Sequence, residues 1–181
     1  MLTPNLQPTL RSELLRLEPL KPEDFEALYQ VAADPQIWEQ HPNNDRYKVE
    51  VFRLYFDSAI ASKGAFLIIE QNTNRIIGCT RYYHYEPQKR SVAIGYTFLA
   101  KAYWGGQYNK IAKQLLLDHI FSYVDKVYFF IGSQNIRSQK GTMRIGAKKL
   151  EPNDPDYVFQ ADSHTYLISK NQWANRQPKQ A

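Results

Sequence analysis

The sequence predicts a mixed α/β (α+β) domain, one sheet with helices on its faces, on three observations. The hydrophobic period changes repeatedly along the chain, with strand-type runs interleaved with i, i+3, i+4 stripes. The segments run strand, two helices, three strands joined by short turns, helix, strand, helix, strand, which is not uniform alternation of parallel units. Finally, 181 residues with 43% hydrophobic and 14% aromatic content suffice for one core, not for two ordinary domains. A single domain is therefore read over residues 1–170, followed by a polar C-terminal tail, 171–181.

The elements follow in order. Residues 1–12 form a polar arm, and 14–19 a short strand in which Leu15 and Leu17 alternate with Arg16 and Glu18. Pro22, Glu23 and Asp24 open a helix, since proline fits its first turn and two acids complement its dipole. Phe25, Leu28 and Val31 give it an apolar face, and Asp34-Pro35 closes it. A second helix spans 47–62, with Val51, Leu54, Tyr55 and Ala59 inward and Gly64 as its stop. Strands at 65–70 and 75–83 flank the turn signal Asn72-Thr73-Asn74, and a third occupies 91–99. Helical spacing returns at 109–123 through Ile111, Leu115, Leu116, His119 and Ile120, which places His119 in the core. Residues 126–131 read as a strand buried on both faces, 135–145 as a helix ended by Gly146, and 165–169 as the last strand.

Composition excludes several classes. A net charge of +5 suits an anionic ligand, a nucleotide cofactor or RNA, without requiring one. The single cysteine, Cys79, rules out an intramolecular disulfide and a multi-cysteine zinc site, and its apolar setting reads as a buried thiol. No metal site is predicted, and no G-x-S-x-G nucleophile is present. No signal-like or membrane-length apolar run occurs, so a cytoplasmic protein without a membrane partner is expected.

Two segments can carry chemistry. In Tyr96-Thr97-Phe98-Leu99-Ala100-Lys101-Ala102-Tyr103-Trp104-Gly105-Gly106-Gln107-Tyr108-Asn109 a strand runs through a glycine pair into a helix. That arrangement points backbone N–H groups at one spot on the positive end of a helix dipole, as an anionic phosphate requires. Taken alone it also describes a plain turn before a helix. In the second segment, Ile131-Gly132-Ser133-Gln134-Asn135-Ile136-Arg137-Ser138, Asn135 and Ser138 share a helix face. Its plainer account is an N-cap asparagine followed by a surface serine.

Together, and in this order, the two segments resemble the GNAT superfamily of acetyl-CoA-dependent N-acetyltransferases, closest to its ribosomal-protein N-terminal acetyltransferase-like branch. Leu15-Arg16-Leu17-Glu18-Pro19-Leu20, Ile94-Gly95-Tyr96, Tyr103-Trp104-Gly105-Gly106, Asn135-x-x-Ser138 and Ile145-Gly146-Ala147 carry the resemblance, over roughly 14–169. The resemblance implies a mostly antiparallel sheet splayed between the strands at 91–99 and 126–131. Acetyl-CoA would enter there as co-substrate, its pantetheine arm on the backbone of Phe98, Leu99 and Ala100. Its pyrophosphate would lie beside Gly105 and Gly106, on the amides of Gln107, Tyr108, Asn109 and Lys110, with Asn135 and Ser138 at the thioester end. Trp38, Tyr82, His84 and Tyr96 would line the cleft for a small-molecule or peptide primary amine, and a homodimer is a further expectation from relatives.

The sequence also departs from the family pattern. Ala102 and Gln107 replace the usual residues of the phosphate loop, Ala93 stands where many relatives have a glutamate, and Thr142 where many have a tyrosine acid. Base and acid are thus left to other residues. His41, His84 and Glu86 are candidate bases, and Ser138 a donor to the departing thiolate. An α-amino group of pKa about 8 would need only a water relay. Two alternatives stay open: a non-catalytic acetyl-CoA sensor of the same fold, and an RNA-binding module using its aromatic strands. Nucleic acid is the less favoured partner, because the basic residues are dispersed and 126–131 lacks an RNA-binding signature.

Overall fold

A computed structural model describes residues 3–176. The strands are β1 (Leu10–Arg11), β2 (Leu15–Pro19), β3 (Ala65–Glu70), β4 (Ile76–Glu86), β5 (Ser91–Leu99), β6 (Lys126–Gly132), β7 (Lys148–Lys149) and β8 (Ser163–Ser169). They build one eight-stranded sheet in the order β1-β2-β3-β4-β5-β6-β8-β7. Every neighbouring pair is antiparallel except β5–β6. That pair is parallel because helix α3 (Tyr108–Ile120) carries the chain back across the sheet between them.

Strand β3 shows how the layers form. Every residue from Ala65 to Glu70 is buried. Phe66 and Ile68 pack with Leu116, Leu117 and Ile120 of α3 on one face. Ala65, Leu67 and Ile69 pack on the other with Phe25 and Leu28 of α1 (Phe25–Ala32) and Phe52 and Phe56 of α2 (Val49–Ala61). Helices thus cover both faces, as a strand without a polar side demands. Helix α4 (Ile136–Arg144) follows β6 directly.

The observed elements differ from the sequence reading in places. Pro22–Asp24 is a 3-10 turn preceding α1, and β4 continues to Glu86 instead of ending at Tyr83. β1 and β7 have two residues each, too short to leave a period, and β1 converts part of the expected arm into sheet edge. His119 is half-buried rather than a core residue, its Nε2 lying 2.8 Å from the Asn5 carbonyl. The expected polar tail begins as helix α5 (Lys170–Ala174), capped by the Ser169 hydroxyl, which accepts from the Gln172 N–H at 3.2 Å. Its Trp173 is buried against Phe121 and donates its indole N–H to Asp118 Oδ1 at 2.7 Å. Residues 177–181 of that tail lie outside the described residues.

Candidate active site

The parallel pair β5–β6 is joined only where Ser91, Val92 and Ala93 face Lys126, Val127 and Tyr128. Beyond that the strands separate. A bulge drives the separation: Arg81 pairs with Gly95 and Cys79 with Phe98, so Tyr96 and Thr97 together oppose Thr80. The hydroxyls of Thr80 and Thr97 meet across it at 2.8 Å. Tyr96 adopts a left-handed backbone (φ 53°), and its carbonyl accepts the buried Tyr55 hydroxyl at 2.7 Å. A non-glycine residue held in this region is strain that the surroundings must impose.

Two cavities open from the gap, and they meet at Trp38, His41, Thr97, Lys113, Asn135 and Ser138. The larger, about 580 Å³, runs along Phe98, Leu99, Trp104, Gly105, Gly106 and Asn109 to the side of α4. Its charged lining residues are Lys110, Lys113, Arg137, Lys140 and Arg144, with no carboxylate. At its floor the first turn of α3 presents amides that no helix carbonyl can satisfy. Gln107, the residue before that turn, supplies no side-chain cap. Gly105 takes φ 74°, which the tight entry into α3 requires and which a side chain would strain. The Arg137 guanidinium lies 3.8 Å from the Trp104 ring centroid and donates to the Ile37 carbonyl at 2.9 Å, roofing the cavity. The Trp104 indole in turn donates to the Leu99 carbonyl at 2.8 Å.

Most residues expected around the acetyl donor line this cavity, but Ala100, Gln107 and Tyr108 do not. The Ala100 N–H donates to the Ile77 carbonyl at 2.7 Å, and the Ala100 carbonyl accepts from Tyr103 N–H at 2.9 Å. Ala100 does not line the cavity, and its backbone is already engaged. Gln107 and Tyr108 also stay outside the lining, Tyr108 packing edge-on to Tyr103.

At the junction, Asn135 caps α4, its Oδ1 accepting from the Ser138 N–H at 3.1 Å, which accounts for the spacing of three. Ser138 is half-buried between the cavities. Beside it lies a residue the sequence reading missed. Lys113 of α3 is only 4% exposed, and its Nζ donates to Thr142 Oγ1 at 2.7 Å, 5.1 Å from the Phe129 ring centroid. Burial pulls its pKa from 10.5 down to about 8. The signal was legible: Lys113 stands three and four residues before the core leucines Leu116 and Leu117, on the buried face.

The second cavity, about 390 Å³, is walled by Trp38, Tyr83, Tyr96 and Phe130 and bounded by the 160–163 segment. Trp38 is buried and donates its indole N–H to the Ala32 carbonyl at 2.7 Å, so it offers a wall and no free donor. A Cβ on Gly132 would come within 2.9 Å of the Pro42 ring, so the missing side chain lets the His41-Pro42 loop close over β6. His84 sits exposed at the rim, 4.8 Å from Tyr83 between ring centroids.

Three expected roles fail here. Tyr82 is fully buried on the opposite face of β4, its hydroxyl donating to the Leu116 carbonyl at 2.5 Å, and cannot meet an acceptor. Glu86 is paired with Lys89 at 2.7 Å beyond the cavity and does not line it, so it is no base. His41 lines the cavity but is disabled. Its Nδ1 accepts from the Asn43 N–H at 2.9 Å, and Arg46 Nη1 lies 3.1 Å from its Nε2. Burial, then the Arg46 charge, lower its pKa to about 4. A base that weak, its Nδ1 taken by the Asn43 N–H and its Nε2 held beside the Arg46 charge, cannot take a proton from an amine near neutral pH. Arg46 itself, absent from the sequence reading, is 8% exposed and lines this cavity.

Among the described residues no group of three His, Cys, Asp or Glu side chains could hold a metal ion, and no helix is long and apolar enough to cross a membrane. The fold is shared with many solved acetyltransferases. A GCN5-related N-acetyltransferase from Brucella melitensis superposes with a TM-score of 0.79 at 15% identity, covering 93% of this chain and 81% of that one. An acetyltransferase from Agrobacterium tumefaciens gives 0.70 at 24% identity, over 89% and 94%. Mycobacterium smegmatis RimJ, in complex with CoA-disulfide, gives 0.65 at 17% identity, over 91% and 87%. The model of the acetyltransferase (GNAT) domain matches residues 15–148, and with that match the chain is placed: it belongs to the GNAT family and is an acetyltransferase.

Proposed function

We propose that this acetyltransferase moves an acetyl group from acetyl-CoA to a primary amine, with the donor in the larger cavity and the acceptor in the smaller. The observation that carries this reading is the charge of the larger cavity, five basic residues and no carboxylate from the start of α3 to the splay. Such a lining fits a ligand with several phosphate charges, which the amides of α3 and Lys110 would hold as charge-assisted hydrogen bonds. The structural neighbour RimJ is described in complex with CoA-disulfide, which fits a CoA-type donor for this fold.

Acetyl-CoA, when bound, supplies the activated acyl group as a thioester. The protein's own part is positional and protonic. The Thr97–Ser138 junction holds donor and acceptor ends together, with Trp38 as a shared wall and Arg137, tied to the Ile37 carbonyl, over the donor side. Ser138 Oγ and Lys113 Nζ are proton-bearing groups at the junction, available to a departing thiolate. With His41 and Glu86 removed as bases, His84 at the rim of the acceptor cavity and water are left to take the amine's proton, and an acceptor of pKa about 8 needs no stronger base.

The test is a thermal melt with and without acetyl-CoA, followed by thiol release with amine acceptors. Ligand at about 100 times its Kd should add about 2.7 kcal/mol. For a domain of this size that raises Tm by roughly 5–10 °C. No rise, or a rise without amine-dependent thiol release, would overturn the assignment.

A further inference from the structure

Arg46 is a cation that the fold buries without giving it a counterion. Its guanidinium is ringed by aromatic faces, with the centroids of Tyr55, Trp38 and Tyr96 at 5.0, 5.5 and 6.0 Å. Among the described residues its one polar contact is the Nε2 of His41, and it enters no ion pair. Asp45 acts on it only at longer range. A guanidinium carries five N–H donors and stays charged in proteins. The unsatisfied donors face the acceptor cavity that Arg46 helps to line.

A second guanidinium reinforces the field. Arg81, 4% exposed, lies 3.6 Å from the Tyr96 centroid on the inner side of the bulge and repels Arg46 through space. It donates to the Ser58 carbonyl at 2.9 Å, while its Nε has no partner. Across the cavity Asp162, exposed at the rim, is the one lining carboxylate. Buried charges are normally paired, because removing them from water is costly. A cation left unpaired inside a cavity that opens onto the reaction centre is paired by what enters.

We infer that the acceptor is a small primary amine that also carries a carboxylate, bound by Arg46 while its amino group faces the Thr97–Ser138 junction. This deepens the amine-acetylation reading and rests on it. Polyamines and aminoglycosides, which bring only positive charge, fit this cavity poorly. At about 390 Å³ it takes an amino-acid-sized ligand, with Tyr83 and Phe130 as an apolar wall for its side chain.

The experiment compares matched acceptors: free α-amino acids, ω-amino acids, their carboxamides and the corresponding alkylamines, read by thiol release. Wild-type enzyme should favour the acids over the carboxamides by roughly 10- to 100-fold in kcat/KM, the range of a charged hydrogen bond. Arg46→Gln should bring the acids down to the carboxamides, and Arg46→Lys should recover part of the preference. A melt with acetyl-CoA accompanies each variant and reports folding and donor binding separately. If acetyl-CoA binds and carboxamides or alkylamines react as well as acids, the inference fails while the enzyme assignment stands. If acetyl-CoA binds and no amine reacts, calorimetric titration of N-acetylated amino acids with CoA present decides, absence of binding overturning the inference. If acetyl-CoA does not bind at all, the underlying assignment fails first.

Discussion

Replacing Lys113 by methionine keeps the length of the side chain and removes its charge, at a position 4% exposed between two helices and a strand. Burial lowers this lysine's pKa from 10.5 to about 8. At ~1.4 kcal/mol per unit, keeping it charged at neutral pH costs the fold about 3 kcal/mol. The variant forfeits the hydrogen bond to Thr142 Oγ1, worth about 1 kcal/mol. The expected net gain at pH 7 is thus about 2 kcal/mol, or about 4–8 °C in Tm. The pH dependence fixes the sign. Between about 8 and 10.5 the unfolded lysine keeps its proton while the folded one has lost it, so wild-type stability rises with pH through that window. The advantage of the variant should therefore shrink across it and give way, above it, to a deficit of about 1 kcal/mol, where only the lost hydrogen bond counts. Paired melts from pH 7 to 10.5 measure the difference, in which the titration of tyrosines common to both proteins cancels. A variant no more stable at pH 7, with a pH-independent difference, would refute the argument that Lys113 is a charge held at a cost.

The remaining predictions separate the chemistry from the scaffold. Ser138→Ala should lower kcat while leaving the calorimetric affinity for acetyl-CoA nearly unchanged, and an unaltered kcat would remove its proton-donor role. Tyr82→Phe should cost about 1 kcal/mol, or about 2–4 °C, through the lost bond to the Leu116 carbonyl, with kcat/KM untouched. Trp173→Ala should cost about 3–5 kcal/mol in a denaturant titration because α5 docks through that ring, and a loss below 1 kcal/mol would return the segment to the status of a tail. Acetyl-CoA binding should weaken as sodium chloride rises, and Lys140→Ala with Arg144→Ala should flatten that dependence, since exposed cations act through a screened field.

What the sequence disclosed and what it withheld divide along physical lines. Periods of two and 3.6 gave the long strands and all four long helices to within a few residues, because burial of one face acts on every turn of the chain. The glycine pair before α3 was legible for a related reason: backbone geometry is encoded locally. Side-chain phase was not. In Tyr82-Tyr83 the two rings must face opposite sides of β4, yet both are aromatic, so composition could not say which entered the core. The His41 reading failed differently. Arg46 was visible five residues on, but a folded loop that seats its guanidinium against the imidazole was not, and that contact makes the histidine useless as a base. Lys113 and Arg46 share a property that only the tertiary structure supplies. Each is a cation drawn out of water on one side of the junction, with a hydroxyl or an imidazole for company and no carboxylate in an ion pair. A fold selected for stability alone would neutralise or expose both. Keeping them costs stability, which is reasonable only if anionic ligands complete them. Unpaired among the described residues, the two cations thus argue for the proposed places of a donor thiolate and an acceptor carboxylate more strongly than any single sequence motif.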